Sequence, residues 1–292
     1  MSGLQSCELF TLSFPFRRDA YHSRMNNTLL PVWLDAAVEA ARRGAVELEG
    51  WRNRFSVREK SRADLVTDAD IASQKAISQY LLGRFPEHQF LGEEDCVGKP
   101  LAGMRPVAGS PPVWIVDPLD GTGNYAHDVP AYCVNVGLVV DGEIVVGVTL
   151  DPRLNELFTA TKGGGAFLNG EPIRVSTIAT IRDGLLSTGF PTDYQKQLKN
   201  LEKWKRVSAH SQSLRRTGST AINMAYVAAG RFDGYWCYDN WPWDVVPGAL
   251  LVQEAGGTLT ASDGSPFDPF RMDLVATNGH MQAELLKVLD EA

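Results

Sequence analysis

The sequence predicts a mixed α+β / α/β fold in which two stacked sheets have helices between and outside them, and two observations carry that expectation. In the first half, Val134, Val136, Leu138 and Val140 alternate up to Asp141-Gly142, and Ile144, Val146, Val148 and Leu150 alternate away from it, the pattern of an antiparallel hairpin. In the second half, short apolar strands alternate with helical periods from Leu185 onward.

Taken in order, Leu34, Ala37, Val38, Ala41, Ala45 and Val46 recur at helical spacing and predict an amphipathic helix over Leu34 to Glu49. A second helical pattern (Ile71, Ala72, Ala76, Ile77, Tyr80, Leu81) stops near Phe85-Pro86, and Thr67 and Asp70 before it have capping-box spacing. An acid in a first helical turn is favoured by the helix dipole without any catalytic role, so Asp70 can be a cap or a functional group. Phe90-Leu91-Gly92 steps into Glu93-Glu94-Asp95, either a solvated acidic loop or a strand end offering Glu93 to a metal. Val97 to Pro112 reads as a loop, Val113 to Val116 as a buried strand, Glu156 to Ala160 as a strand, and Ala166 to Gly170 as a hairpin-like turn. Then follow a strand (Leu185–Thr188), a helix (Asp193–His210), a strand (Leu214–Arg216), and a helix (Ser219–Ala229) capped by Ser219 or Thr220. An aromatic strand (Phe232–Tyr238), a helix (Asp244–Ala255) ended by Gly256-Gly257, a strand (Leu274–Thr277) and a closing helix (Met281–Leu289) complete the order.

These elements divide into an α+β half over 28–175, which would hold a metal site, and an α/β half over 176–292, the two forming one compact unit. Residues 1–27 lack a clear period and read as a disordered N-terminal extension, with Met25 an alternative start. At 44% apolar and 22% charged residues the chain can bury a core without staples. The formal charge of -7 argues against nucleic acid or an anionic membrane as partner, because both demand a basic surface. Four scattered cysteines with no CxxC spacing indicate neither a disulfide framework nor zinc and fit a reducing cytoplasm.

The most informative stretch is Trp114-Ile115-Val116-Asp117-Pro118-Leu119-Asp120-Gly121-Thr122. An apolar strand ends in two carboxylates three apart, and Pro118 stiffens the turn between them. Two carboxylates aimed at one point repel each other in a low dielectric, and a divalent cation resolves the conflict. Gly121 lets backbone approach a ligand, and Thr122 sits at an expected helix start, a setting that suits an anion. Cation and anion together suggest a phosphate ester; the bland alternative is a surface turn, for which Asp, Pro and Gly are the commonest residues. In Trp241-Pro242-Trp243-Asp244 the acid opens a helix, as a cap or as a carboxylate in a dry aromatic wall.

Asp64-Leu65-Val66-Thr67-Asp68-Ala69-Asp70, Gly92-Glu93-Glu94, Trp114 to Thr122, and Trp243-Asp244 followed by Glu254-Ala255-Gly256-Gly257 together resemble the inositol monophosphatase superfamily of magnesium-dependent, lithium-sensitive phosphatases. The resemblance spans about Val32 to Leu289 and implies a layered αβαβα sandwich, a homodimer, and two to three Mg²⁺ per active site. It implies that Glu93, Asp117 and the Leu119 carbonyl hold the first ion, that Asp117, Asp120 and Asp244 hold the second, and that a weaker third lies near Glu93. Asp70 and Thr122 would orient and deprotonate the attacking water, with Glu93 in the catalytic set. Asp120, Gly121 and Thr122 would meet the phosphate, and Gly218, Ser219 and Thr220 the alcohol part of the substrate.

Two positions depart from the family pattern. Gly123 stands where a second threonine is common, and Cys237 stands seven before Asp244, where inositol-preferring members carry a glutamate that bonds substrate hydroxyls. A thiol cannot accept strong hydrogen bonds from a polyol, so inositol 1-phosphate is expected to be a poor substrate. A bulkier or flatter alcohol, packed by Trp236, Tyr238 and Trp241, is the counterpart expectation; alternatively Cys237 is a buried filler and Asp239 takes the role. The function expected is Mg²⁺-dependent hydrolysis of a small phosphorylated alcohol: an inositol phosphate, histidinol phosphate, a sugar phosphate or a nucleotide 3′-phosphate. A non-catalytic regulatory or scaffold protein that keeps the phosphatase fold is the alternative.

Overall fold

The structure is a computed structural model that describes residues 28–52, 54–61, 64–96 and 103–290. The expectation for residues 1–27, and part of the loop expected over 97–112, lie outside the described residues. The chain opens with helix α1 (Leu30–Trp51), starting four residues earlier than the apolar period suggested because Pro31 suits a first turn. A short hairpin follows, β1 (Val57–Ser61) and β2 (Asp64–Thr67), and leads into α2 (Asp68–Arg84) and β3 (Gln89–Gly92). Sequence periodicity missed that hairpin.

A seven-stranded sheet then forms in the order β3-β4-β5-β6-β7-β8-β9. Its further strands are β4 (Val113–Asp120), β5 (Cys133–Val140), β6 (Glu143–Asp151), β7 (Glu156–Thr161), β8 (Gly165–Leu168) and β9 (Glu171–Pro172). Strands β3 and β4 run parallel and the rest pair antiparallel. Every residue of β4 and β5 is buried, so the sheet is covered on both faces there. The expected hairpin at Asp141-Gly142 is present, with Asp141 at φ 53° and Gly142 at φ 81°, the left-handed pair that a two-residue turn requires.

The second sheet has the order β11-β10-β12-β14-β13. It comprises β10 (Leu185–Thr188), β11 (Ser213–Arg215), β12 (Gly234–Tyr238), β13 (Thr258–Thr260) and β14 (Asp273–Thr277). Its helices are α4 (Tyr194–His210), α5 (Thr220–Ala228), α6 (Pro242–Glu254) and α7 (Gln282–Asp290), and the short α3 (Thr122–Ala126) follows β4. Helices α1 and α2 pack on each other and on the outer face of the first sheet, α5 and α6 lie between the sheets, and α4 and α7 cover the second. The architecture is therefore the layered αβαβα sandwich.

The middle layer is close-packed. Helix α6 touches strands of both sheets, and at Gly147 in β6 an added Cβ would lie 2.6 Å from the Pro247 carbonyl oxygen of that helix. Only glycine permits that approach. Val116, Val136, Val148 and Leu48 are completely buried in the first core cluster, each contributing about 1.5–3 kcal/mol of transfer free energy before entropy is counted. No helix among the described residues is long and apolar enough to cross a membrane.

Candidate active site

The C-terminal ends of β3 and β4 and the N-termini of α3, α5 and α6 converge on one cavity of about 350 Å³. Glu93, Asp117, Leu119, Asp120, Gly121, Thr122, Gly218, Thr220, Cys237 and Asp244 all line it. Asp70 and Ser219 do not; each acts on a residue that does.

The local reasons lie in the turn after β4. The Leu119 amide donates to Asp117 Oδ1 at 2.9 Å, which fixes the first carboxylate. Ser73 Oγ donates to the Pro118 carbonyl at 2.9 Å and ties the turn to α2. Gly121 has φ 96°, and a Cβ there would lie 2.8 Å from the Ala131 carbonyl oxygen, so neither the conformation nor the space admits another residue cheaply.

Asp120 is held by the start of α5: it accepts from Ser219 Oγ at 2.8 Å, from the Ala221 amide at 2.5 Å and from the Thr220 amide at 3.3 Å. Ser219 also caps α5, accepting from the Ile222 amide at 3.1 Å. It is buried, so where the family resemblance implied a substrate contact its hydroxyl serves Asp120 instead. Burial raises the Asp120 carboxyl to about 6, and those three donors oppose the rise. Asp244 sits at the third position of α6 rather than opening it, and its carboxylate accepts from the Trp241 amide at 2.7 Å. Asn135, buried in β5, donates to the Trp243 carbonyl at 2.8 Å and anchors that helix start.

Asp117 is 2% exposed, and burial together with the charges of Glu93, Asp120 and Asp244 raises its carboxyl well above the ordinary range. Asp244 is raised in the same way, by burial and then by Asp120, and a hydrogen bond from Asp117 relieves part of the conflict. These acids repel one another in a low dielectric, and positive charge between them would remove the penalty. Among the described residues no group of three or more His, Cys, Asp or Glu side chains stands arranged to hold a metal ion. The donor set itself, carboxylates and a carbonyl with no soft ligand, fits a hard divalent cation.

Asp70 is fully buried and accepts from the Thr67 amide at 2.9 Å and from Thr67 Oγ1 at 2.5 Å, so the capping box is real. Its other oxygen faces Thr122 Oγ1 at 3.2 Å. The capping residue is thus also the neighbour of Thr122, which lines the cavity. Burial raises Asp70 to about 7, with Thr67 opposing and Glu93 adding to the rise. Thr122 Oγ1 also lies 3.1 Å from the Leu119 carbonyl, and its single proton can serve only one of the two acceptors at a time.

Cys237 is buried yet lines the cavity, where its thiol donates to Asn240 Oδ1 at 3.4 Å. Burial pushes the thiol far up, so it stays neutral. Asp239 also lines the cavity but is paired with Lys196 Nζ at 2.5 Å. Trp236, named as a possible packing wall, is corrected: strand alternation sends it to the opposite face of β12, where Nε1 bonds Asn200 Oδ1 at 2.8 Å. Trp241 does line the cavity; Tyr238 borders it, but its ring lies on the Trp236 side of β12, under Lys203 Nζ.

Ser73, Gln74, Asn124 and Asn135 support the site and escaped the sequence reading. Gln74 Oε1 accepts from the Glu94 amide at 2.9 Å. Asn124 Nδ2 donates to the carbonyls of Ala131 at 2.6 Å and Thr217 at 2.9 Å, tying the segment before β5 to the loop whose Gly218 lines the cavity. The signal for the first pair was available, since Asp70, Ser73, Gln74 and Ile77 share one buried helical face on which polar residues are out of place.

An αβαβα sandwich with a carboxylate cavity at the strand ends defines a class of phosphoric monoester hydrolases. The chain belongs to the inositol monophosphatase family: the model for the "Inositol monophosphatase family" matches residues 30–292. It is 40% identical to the inositol-1-monophosphatase of Synechocystis sp. over 263 residues, covering 89% of each chain. It is 40% identical to inositol monophosphatase 3 of Solanum lycopersicum, covering 89% of this chain and 97% of that one. Among solved structures, the extragenic suppressor protein suhB from Bartonella henselae matches with TM-score 0.80 at 36% identity, covering 91% of this chain and all of that one. The inositol monophosphatase from Anabaena (Nostoc) sp. matches with TM-score 0.78 at 38% identity, covering 90% and 96%.

Proposed function

We propose that this enzyme hydrolyses a small phosphorylated alcohol with Mg²⁺ held at the carboxylate cavity. The observation that carries the reading is that buried Asp117 and Asp120 and half-buried Asp244 converge with Glu93 on one cavity, with the three aspartates raised by desolvation. Glu93, Asp117 and the Leu119 carbonyl would hold one ion, and Asp117, Asp120 and Asp244 another. When bound, the ions neutralise phosphate oxygens, make water a better nucleophile and stabilise the departing alkoxide.

The chain's own groups do the rest. Thr122 Oγ1 donates to Asp70 Oδ1 and so presents its lone pairs to a water, while Asp70, raised to about 7, can take the proton near neutral pH. The water oxygen forms its bond to phosphorus as the ester P–O bond breaks; the departing alkoxide takes a proton from solvent water, and the proton gained by Asp70 returns to solvent. Gly121 and Thr122, at the start of α3, border the cavity where the phosphate would lie.

Relatives named inositol monophosphatases make inositol monophosphate the first ester to assay. The neutral Cys237 favours other alcohols. Lithium inhibition in the millimolar range, a homodimer and a cytoplasmic setting are parts of the same reading and rest on family likeness. A panel of phosphomonoesters assayed for phosphate release, with Mg²⁺ and with EDTA, tests the proposal. Release that needs Mg²⁺ supports it; no release from any ester, or release indifferent to EDTA, overturns it.

A further inference from the structure

The cavity wall beyond the carboxylates is unlike a polyol site. Trp241 and Trp243 stack with ring centroids 5.2 Å apart and planes 2° from parallel, and both line the cavity. Trp243 is buried and Trp241 half-buried, so the pair makes a stiff slab with Trp241 as its more exposed ring. Beside it stands Asn240, 4% exposed and lining the same cavity. Its Oδ1 is engaged by the Cys237 thiol, while Nδ2 is buried with no hydrogen-bond partner among the described residues. A buried amide donor left unmade is costly and calls for an acceptor. Next to Asn240 the thiol of Cys237 is only a weak acceptor of hydroxyl protons, and Asp239 has one of its two oxygens, Oδ1, engaged by Lys196.

We infer that this part of the cavity receives a planar, ring-bearing alcohol carrying a hydrogen-bond acceptor, stacked on Trp241 and held by Asn240 Nδ2, an inference that rests on the phosphatase reading of the same cavity. A volume of about 350 Å³ accommodates one such ring beside a phosphate group. The substrate class is the phosphomonoester of a heteroaromatic alcohol, preferred over a polyol ester of similar size.

A matched series isolates the ring from the leaving group: cyclohexylmethyl, benzyl and the three pyridylmethyl phosphates are all esters of primary alcohols. In Mg²⁺, benzyl phosphate should exceed cyclohexylmethyl phosphate in kcat/KM by about two- to tenfold, mainly through KM. One pyridylmethyl isomer should exceed benzyl by about fivefold or more. Trp241→Leu should bring the benzyl to cyclohexylmethyl ratio close to one and Trp241→Phe should keep it, whereas Asn240→Ser should remove only the pyridyl advantage. Binding is read separately, by tryptophan fluorescence titrated with benzylphosphonate and cyclohexylmethylphosphonate in Mg²⁺. Equal affinity of the parent for the two phosphonates, or equal kcat/KM for the benzyl and cyclohexylmethyl esters, overturns the inference while leaving phosphatase activity intact. If the phosphonates are discriminated and no ester is hydrolysed, the planar subsite stands and the phosphatase reading falls.

Discussion

The carboxylates of the cavity differ in what supports them, and single substitutions should reveal the difference. Asp117→Asn and Asp120→Asn should each lower phosphate release by about a hundredfold or more, because each removes charge that holds a cation on the phosphate. Their melting temperatures in EDTA should change little or rise, since burial and mutual repulsion already disfavour the ionised forms. Near-native turnover in either variant would refute the role given to the β4 turn. Cys237→Glu puts a carboxylate where the neutral thiol meets Asn240. A charge-assisted hydrogen bond is worth about 1.5–3 kcal/mol, so kcat/KM for inositol 1-phosphate should rise roughly tenfold to hundredfold. No gain would show that Cys237 does not set substrate choice.

At the scale of elements, the start of α5 is a support for Asp120 as much as a helix. Ser219→Ala removes both the cap on Ile222 and the hydroxyl on Asp120. It should cost about 0.5–2 kcal/mol in thermal or urea unfolding and raise the Mg²⁺ concentration needed for half-maximal turnover. Lost stability without a change in Mg²⁺ dependence would reduce Ser219 to a cap. Elements with strong signals were legible: the β5–β6 hairpin from period-two alternation, α5 from its cap, and α4 one residue from its expected start. Those carried by pairing rather than by pattern were not, notably the β1–β2 hairpin and the edge strand β13. Strands this short have too few residues to show a period.

Across the whole molecule, the buried acids set an unusual pH dependence. Asp70 and Asp120 are raised from 3.8 to about 7 and about 6, and Asp117 and Asp244 are raised well above 3.8 in the same direction. A raised carboxyl contributes stability that is full below its unfolded pKa and is lost as pH climbs through the folded one. In EDTA, therefore, the melting temperature should fall between about pH 5 and 8. His88, whose pKa is lowered from 6.5 by burial, opposes this trend only below about pH 6.5. Surface acids such as Asp263, held low by Arg271, act below about pH 4. Mg²⁺ should raise the melting temperature most at high pH, because binding releases the protons that the folded carboxyls keep. A melting temperature that climbs from pH 5 to 8 in EDTA, or that Mg²⁺ leaves unmoved, contradicts the account.

By itself the sequence determined the class of fold, the order of most elements and four acids that the structure brings to the cavity, Glu93, Asp117, Asp120 and Asp244. Alternation and helical period are properties of consecutive residues, and Asp-Pro-x-Asp-Gly after an apolar run announces charge delivered from a strand. Only the tertiary structure decided what each acid does. It made Asp70 both a cap and the partner of Thr122, turned Ser219 onto Asp120, sent Trp236 away from the cavity and brought Asn240 with its unpaired amide into it. Such roles depend on which residues distant in sequence share a buried space, as Asp120 and Ser219 do across the gap between β4 and α5. A local pattern carries no information about that neighbour.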